Sequence, residues 1–278
     1  MIPKNNFTNP IHSIGSSVFS IVIGLFAGFI ILLLSNASQA LNGILSILTS
    51  GFSSMNNLGQ VLFFASPIIM TGLSVAFSAK TGLFNIGAAG QFIIGAYAAV
   101  LVGVKCDFLP GYLHLTAALF SAFIAGALWG MIPGLLKAFF NVHEVISCIM
   151  TNYIGIYLVN FLVTATVFDS SRNQSLQVTD SAVLPKMGMD KVFKDGFLVS
   201  SVNSGIIIAV VFAVIAYVII KKTVFGYELR TCGLNREAAR FAGINEKRCI
   251  ISSFVISGAL AGLAALFFIY PGREKEFL

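Results

Sequence analysis

Apolar residues along this chain come in long unbroken runs, with neither the alternation of a half-buried strand nor the single stripe of a soluble helix. A helix rising 1.5 Å per residue needs about 20 apolar residues to cross a hydrocarbon layer of ~30 Å. Seven runs meet that length: Ile14–Leu34, Gly59–Ala79, Leu83–Val104, His114–Leu136, Val145–Val167, Ser201–Ile220 and Ile250–Tyr270. Leu41–Phe52 is apolar but too short to cross, and reads as either re-entrant or lying along the membrane. The pattern predicts an all-α fold: a polytopic transmembrane helical bundle of about seven spans, forming one domain over residues 1–278.

Composition agrees. Hydrophobic residues make up 57% of the chain and charged residues 10%, against about 25% charged in an ordinary soluble domain. A net charge of +6 would suit nucleic acid only if it lay on a water-soluble face. Here the basic residues fall between apolar runs, where they report membrane orientation. Between the sixth and seventh runs, Lys221, Lys222, Arg230, Arg236, Arg240, Lys247 and Arg248 face only Glu228, Glu237 and Glu246. In the stretch Phe168–Ser200, by contrast, Arg172, Lys186, Lys191 and Lys194 are balanced by Asp169, Asp180, Asp190 and Asp195. The basic excess belongs in the cytoplasm. That places Lys4, Lys80, Lys137 and a loop of about 221–250 inside, and the expected product is a multi-pass cell-membrane protein with a cytoplasmic N-terminus.

Close helix packing in lipid relies on small residues, because the hydrophobic effect no longer separates helix from solvent. Gly126, Gly130 and Gly134 recur every fourth residue, and Gly24/Gly28 and Gly258/Gly262 repeat the spacing. These stripes read as packing faces. The third run opens differently, as KTGLFNIGAAGQFIIGAYAAV. Gly82, Gly87, Gly90 and Gly95 are too many for a plain helix, and Asn85 and Gln91 among them need partners away from water. Broken backbone at membrane depth either lines a cavity or packs tightly against protein. Asn152, about two turns inside the fifth run, adds a third amide. Asn85, Gln91 and Asn152 are therefore the candidate lining of a solute path. Glu144, in the first turn of that run, suits the helix dipole.

Catalytic and metal chemistry find little support. Cys106, Cys148, Cys232 and Cys249 are scattered, as are His12, His114 and His143, so no metal site is expected. Ser74–Thr81, SVAFSAKT, has the length of a phosphate-binding loop, but serine and alanine stand where its glycines must be. No paired acids, Ser/His set or H-E-x-x-H motif marks an intramembrane enzyme. An ion-coupled secondary transporter usually carries intramembrane acids, and outside Glu144 the spans offer none.

One stretch is neither a span nor a simple turn: CGLNREAARFAGINEKR, Cys232–Arg248. Asn235 can cap a helix start, Glu237 suits its positive end, and Gly243 can close it in a left-handed turn. The helix Arg236–Ala242 is about 10 Å long, too short to stand alone in water, with Ala238, Phe241 and Ala242 forming a small apolar face. Such a helix is suited to docking in a partner's groove.

GLNREAARFAGI resembles the cytoplasmic coupling loop of ABC importer permeases. GLFNIGAAGQFIIGAYAA, GALWGMIPGLLKAFFNVHEVISCIMTNYIGIYL and ISGALAGLAA are similar to the nucleoside/simple-sugar branch of the branched-chain permease family, from about Pro67 to Leu266. The resemblance implies a permease subunit of an ATP-driven importer, with nucleosides the expected solute and simple sugars or branched-chain amino acids the alternatives. It implies that Glu237, Ala238, Ala239 and Gly243 form the ATPase-coupling motif. Implied partners are a cytoplasmic ATPase that carries ATP and Mg, a second permease subunit, a surface substrate-binding lipoprotein and membrane lipid; this chain itself needs no cofactor. Family members usually continue for two or three further spans, so a chain shortened relative to the family is expected.

Overall fold

The computed structural model describes residues 10–196 and 198–269. In chain order the helices are α1 (Pro10–Ser35), α2 (Ala40–Thr49), α3 (Met55–Ala79), α4 (Ala88–Lys105), α5 (Gly111–Phe140) and α6 (Glu144–Thr166). They are followed by α7 (Met189–Val192), α8 (Gly205–Lys222), α9 (Val224–Leu234), α10 (Arg236–Phe241) and α11 (Glu246–Leu266). Seven of these, α1, α3, α4, α5, α6, α8 and α11, are long and apolar enough to cross a membrane. The runs read from the sequence thus correspond to helices, with ends moved by a few residues where caps decide them. Ser54, for example, accepts the amide of Asn57 at 3.1 Å and starts α3 before Gly59.

α11 occupies the centre. Of its membrane-length window 78% is buried, against 0% for α1. Its most extensive contacts are with α5, then α4 and α3, while α6 packs on α4 and α8 on α3. Small residues make this possible. A Cβ on Gly126 would lie 2.7 Å from Gly262 Cα, one on Gly130 3.1 Å from Gly258 Cα, and one on Gly95 2.8 Å from the Gly262 carbonyl carbon. Three helices therefore touch backbone to backbone, where dispersion contacts are densest. Gly24 and Gly28 have the same spacing and meet nothing within 4 Å in this chain. α1 instead packs against α2, and the side chain of Leu32 covers Gly43.

Two expectations need correction, and one stretch that the sequence leaves unread is now placed. The third span begins as a helix only at Ala88, not at Leu83, because residues 81–87 follow a non-helical path. The charged segment after the sixth span holds two helices, since α9 precedes the short α10, which ends at Phe241 with Ala242 as its C-cap. The stretch between α6 and α8 is folded, with strands β1 (Phe168–Asp169) and β2 (Gln174–Ser175) pairing antiparallel, and β3 (Lys194–Asp195) with β4 (Leu198–Val199). Val178, Ala182 and Leu184 of this cap are buried. His114, fully buried near the start of α5, ties it down: one ring nitrogen meets Ser181 Oγ at 2.8 Å and the other the Val102 carbonyl at 3.0 Å. Tyr270 and the residues after it lie outside those described.

Candidate functional site

Two features stand apart from helix packing: the unwound stretch between α3 and α4, and the short helix α10. The first is set by glycine and amides. Gly82 adopts φ +68°, which an L side chain disfavours. Beyond it the chain cannot satisfy its own backbone by helical bonds, so side chains take over. Asn85 and Gln91, 0% and 1% exposed, pair amide to amide: Asn85 Nδ2 donates to Gln91 Oε1 at 2.9 Å and Gln91 Nε2 donates to Asn85 Oδ1 at 3.3 Å. Asn85 Oδ1 also accepts the amide of Gly87 at 2.9 Å. Asn85 Nδ2 reaches Ser257 Oγ of α11 at 2.6 Å, and that hydroxyl donates to the Ser74 carbonyl of α3 at 2.8 Å. Upstream, Thr81 Oγ1 donates to Ser253 Oγ at 3.0 Å. Every polar atom in this cluster is partnered, as burial away from water requires.

Asn152 of α6 closes the other side. Its Oδ1 accepts the amide of Gly90 at 2.8 Å and its Nδ2 donates to the Ile86 carbonyl at 3.0 Å. One side chain thus satisfies an orphan N–H in the first turn of α4 and a carbonyl of the unwound stretch. Gly90 is needed for this approach, since a Cβ there would sit 2.9 Å from Asn152 Cα. Asn85, Gln91 and Asn152 are brought together around residues 81–91. Asn85 and Gln91 point into protein; Asn152 stays half-buried, and Phe84 and Ile86, flanking Asn85, are 55% and 37% exposed.

α10 is held firmly for so short a helix. Asn235 Oδ1 accepts the amide of Ala238 at 3.1 Å, and Gly243 follows the helix at φ +81°. Ala239 is fully buried, in an apolar cluster that also holds Phe77 of α3, Ile220 of α8, Leu229 and Cys232 of α9 and Cys249 of α11. Glu237, Ala238 and Gly243 are exposed, and Phe241 is 91% exposed. Of the four motif residues, Ala239 seats the helix on the bundle and the other three face outward. Residues of five elements, α3, α8, α9, α10 and α11, share that cluster.

Lys137 and Glu144 form an ion pair of 2.8 Å across the α5–α6 turn, which Asn141 closes at φ 50°. Lys247 lies 4.9 Å from the centroid of the Phe139 ring, joining the start of α11 to the end of α5. Gly233 of α9 sits against the turn after α3, where its Cβ would be 3.0 Å from the Gly82 nitrogen. These contacts gather Lys80, Lys137, Glu144 and the α9–α10 pair at one end of the bundle. The sequence reading missed Ser74, Ser253, Ser257 and α9. The i,i+4 spacing of Ser74/Ser78 and Ser253/Ser257, which puts each pair on one helix face, was the available signal.

Residues 57–275 match the family described as "Branched-chain amino acid transport system / permease component". The chain belongs to this permease family. It is 40% identical over 247 residues to the guanosine ABC transporter permease protein NupP of Bacillus subtilis, covering 89% of this chain and 69% of that protein. It is 32% identical over 266 residues to the nucleoside ABC transporter permease protein NupB of Lactococcus lactis, covering 94% and 71%. The glucose ABC transporter permease protein TsgB13 of Haloferax volcanii is also 32% identical, over 256 residues, covering 91% and 67%. No solved structure matches it. The permease is therefore a multi-pass membrane protein with a transport role, and the seven long apolar helices are its spans.

Proposed function

We propose that this permease subunit carries nucleosides inward across the plasma membrane as part of an ATP-driven importer. The observation that carries the reading is α10: an exposed short helix, seated through Ala239, at the end of the bundle where the basic residues collect. A cytoplasmic ATPase gripping Glu237, Ala238 and Gly243 would supply the motion, with ATP and Mg bound to that partner and none to this chain. A second permease subunit and a surface lipoprotein that delivers solute complete the assembly. The N-terminus and residues of about 221–250 lie in the cytoplasm on the positive-inside rule.

The solute passes beside the unwound stretch. Asn85 and Gln91 hold its shape from behind, while Phe84, Ile86 and Asn152 border the path. Each polar atom of Asn152 makes one bond here, which leaves a second N–H and a second lone pair for a solute. Aromatic faces and amides suit a base and a ribose. NupP and NupB, named for guanosine and nucleosides, support that cargo; TsgB13, named for glucose, makes simple sugars the second reading.

Asn152→Leu is expected to lower nucleoside uptake in cells while the complex still assembles. The buried Gly90 amide would lose its partner at a cost of about 1–3 kcal/mol, and the Ile86 carbonyl, on an exposed residue, would lose one at less cost. Wild-type uptake kinetics in that variant would remove Asn152 from the path. The energy source is tested separately: uptake should persist when the ion gradient is collapsed and ATP is held constant. Loss of uptake under those conditions would instead indicate a secondary transporter.

A further inference from the structure

The position of Gly233 has a mechanical consequence. It is the penultimate residue of α9, two residues before the cap of α10, and it faces Gly82 backbone to backbone. A Cβ on Gly233 would lie 3.0 Å from both the Gly82 nitrogen and the Thr81 carbonyl carbon, and nearer still to the Lys80 carbonyl. In return, a Cβ on Gly82 would lie 3.0 Å from the Gly233 carbonyl oxygen and 3.2 Å from its Cα. No flexible side chain separates the two strands, so displacement of one is passed to the other without rotamer slack.

What each glycine is attached to decides the direction of that push. Behind Gly233, Asn235 caps α10, and Ala239 locks α10 into the cluster shared with Leu229 and Cys232 of α9. α9 and α10 therefore share one packed cluster. Ahead of Gly82 lie only the unwound residues, held by Thr81–Ser253, by the Asn85–Gln91 amide pair and by Asn152. The Gly82 and Leu83 amides still bond back to the Ala79 and Ser78 carbonyls of α3; beyond them the stretch is held by side-chain hydrogen bonds that reach α11 and α6 as well as α4.

We infer that the Gly82–Gly233 contact passes movement of α10 to residues 82–91, and so to the Asn152 side of the path. Both glycines are positioning residues, and neither touches solute. The inference rests on the importer reading and adds to it the route from motor to path.

The test uses the whole complex in proteoliposomes, with ATP hydrolysis and guanosine uptake measured together. Gly233→Ala should retain the ATPase subunit and its basal hydrolysis, but move about tenfold less guanosine per ATP, within the 5–150-fold range usual for coupling between sites. An unchanged ratio of transport to hydrolysis in a folded complex would overturn the inference. Should that variant fail to fold, hydrogen exchange on the wild-type complex decides. Trapping with a non-hydrolysable ATP analogue should change exchange in residues 82–91 and in α9–α10 together. A response in α9–α10 with 82–91 unaltered would sink the route. Wild-type complex that shows the joint response yet imports no guanosine would overturn the substrate assignment alone and leave the route standing.

Discussion

Glu237→Arg should cut co-purification of the proposed ATPase partner and nucleoside uptake by about tenfold or more, since reversing a charge on the proposed docking face disturbs electrostatic complementarity across it. The residue is exposed in the first turn of α10, so the change lies on the surface and the fold does not depend on it. Ala239 continues to seat the helix, and the cap at Asn235 is untouched. Loss of the favourable dipole contact costs only ~0.3–1 kcal/mol, too little to undock α10 from the bundle. The thermal midpoint of the permease in detergent should therefore stay near the wild-type value while binding falls. A pull-down and an uptake rate both indistinguishable from wild type would remove the docking role.

A paired glycine experiment should show the largest effect on stability. Gly258→Leu places a branched side chain where a Cβ alone would meet the Gly130 Cα at 3.0 Å and press closer still on the Gly126 carbonyl. Overpacking usually costs about 1–3 kcal/mol. Here the opposing atoms are backbone, which cannot turn aside, so the cost should reach or exceed the upper end. Gly24→Leu introduces the same side chain at the same Gly-x-x-x-Gly spacing and meets nothing within 4 Å in this chain. Melting of the two purified variants in detergent should separate them clearly, with the first losing folded yield and the second not. Equal destabilisation would mean that α11 is not the axis of the bundle.

Much of this was legible beforehand. The spans follow from run length alone, because lipid leaves a backbone few ways to satisfy itself. The ends of α10 follow from Asn235 and Gly243, whose capping roles are local properties of those side chains. Asn85, Gln91 and Asn152 stood out because amides among apolar residues demand partners. What those partners were was hidden. Ser257 is 172 residues from Asn85 and 183 from Ser74, and no local rule connects them.

The same limit explains the two errors at the end of the bundle that holds α9 and α10. Residues 83–87 count into a span for their apolar composition, although Gly82 and Gly87 already mark a broken backbone. Where the helix begins depends on hydrogen bonds from neighbours on α11 and α6, which the local sequence does not show. α9 was overlooked because it carries no long apolar run; Leu229 and Cys232 face a cluster assembled from four other elements.

The sequence by itself determined which runs are long and apolar enough to span, which inter-span segment carries the basic excess and the capped shape of α10, since each depends on residues within one continuous stretch of chain. Tertiary structure alone decided which glycine stripe packs, that α11 is central, that Ala239 points inward and that Gly233 meets Gly82. Those outcomes depend on which surfaces come to lie opposite one another after the chain has folded back across the membrane, and identical spacings such as Gly24/Gly28 and Gly258/Gly262 carry no record of what they will face.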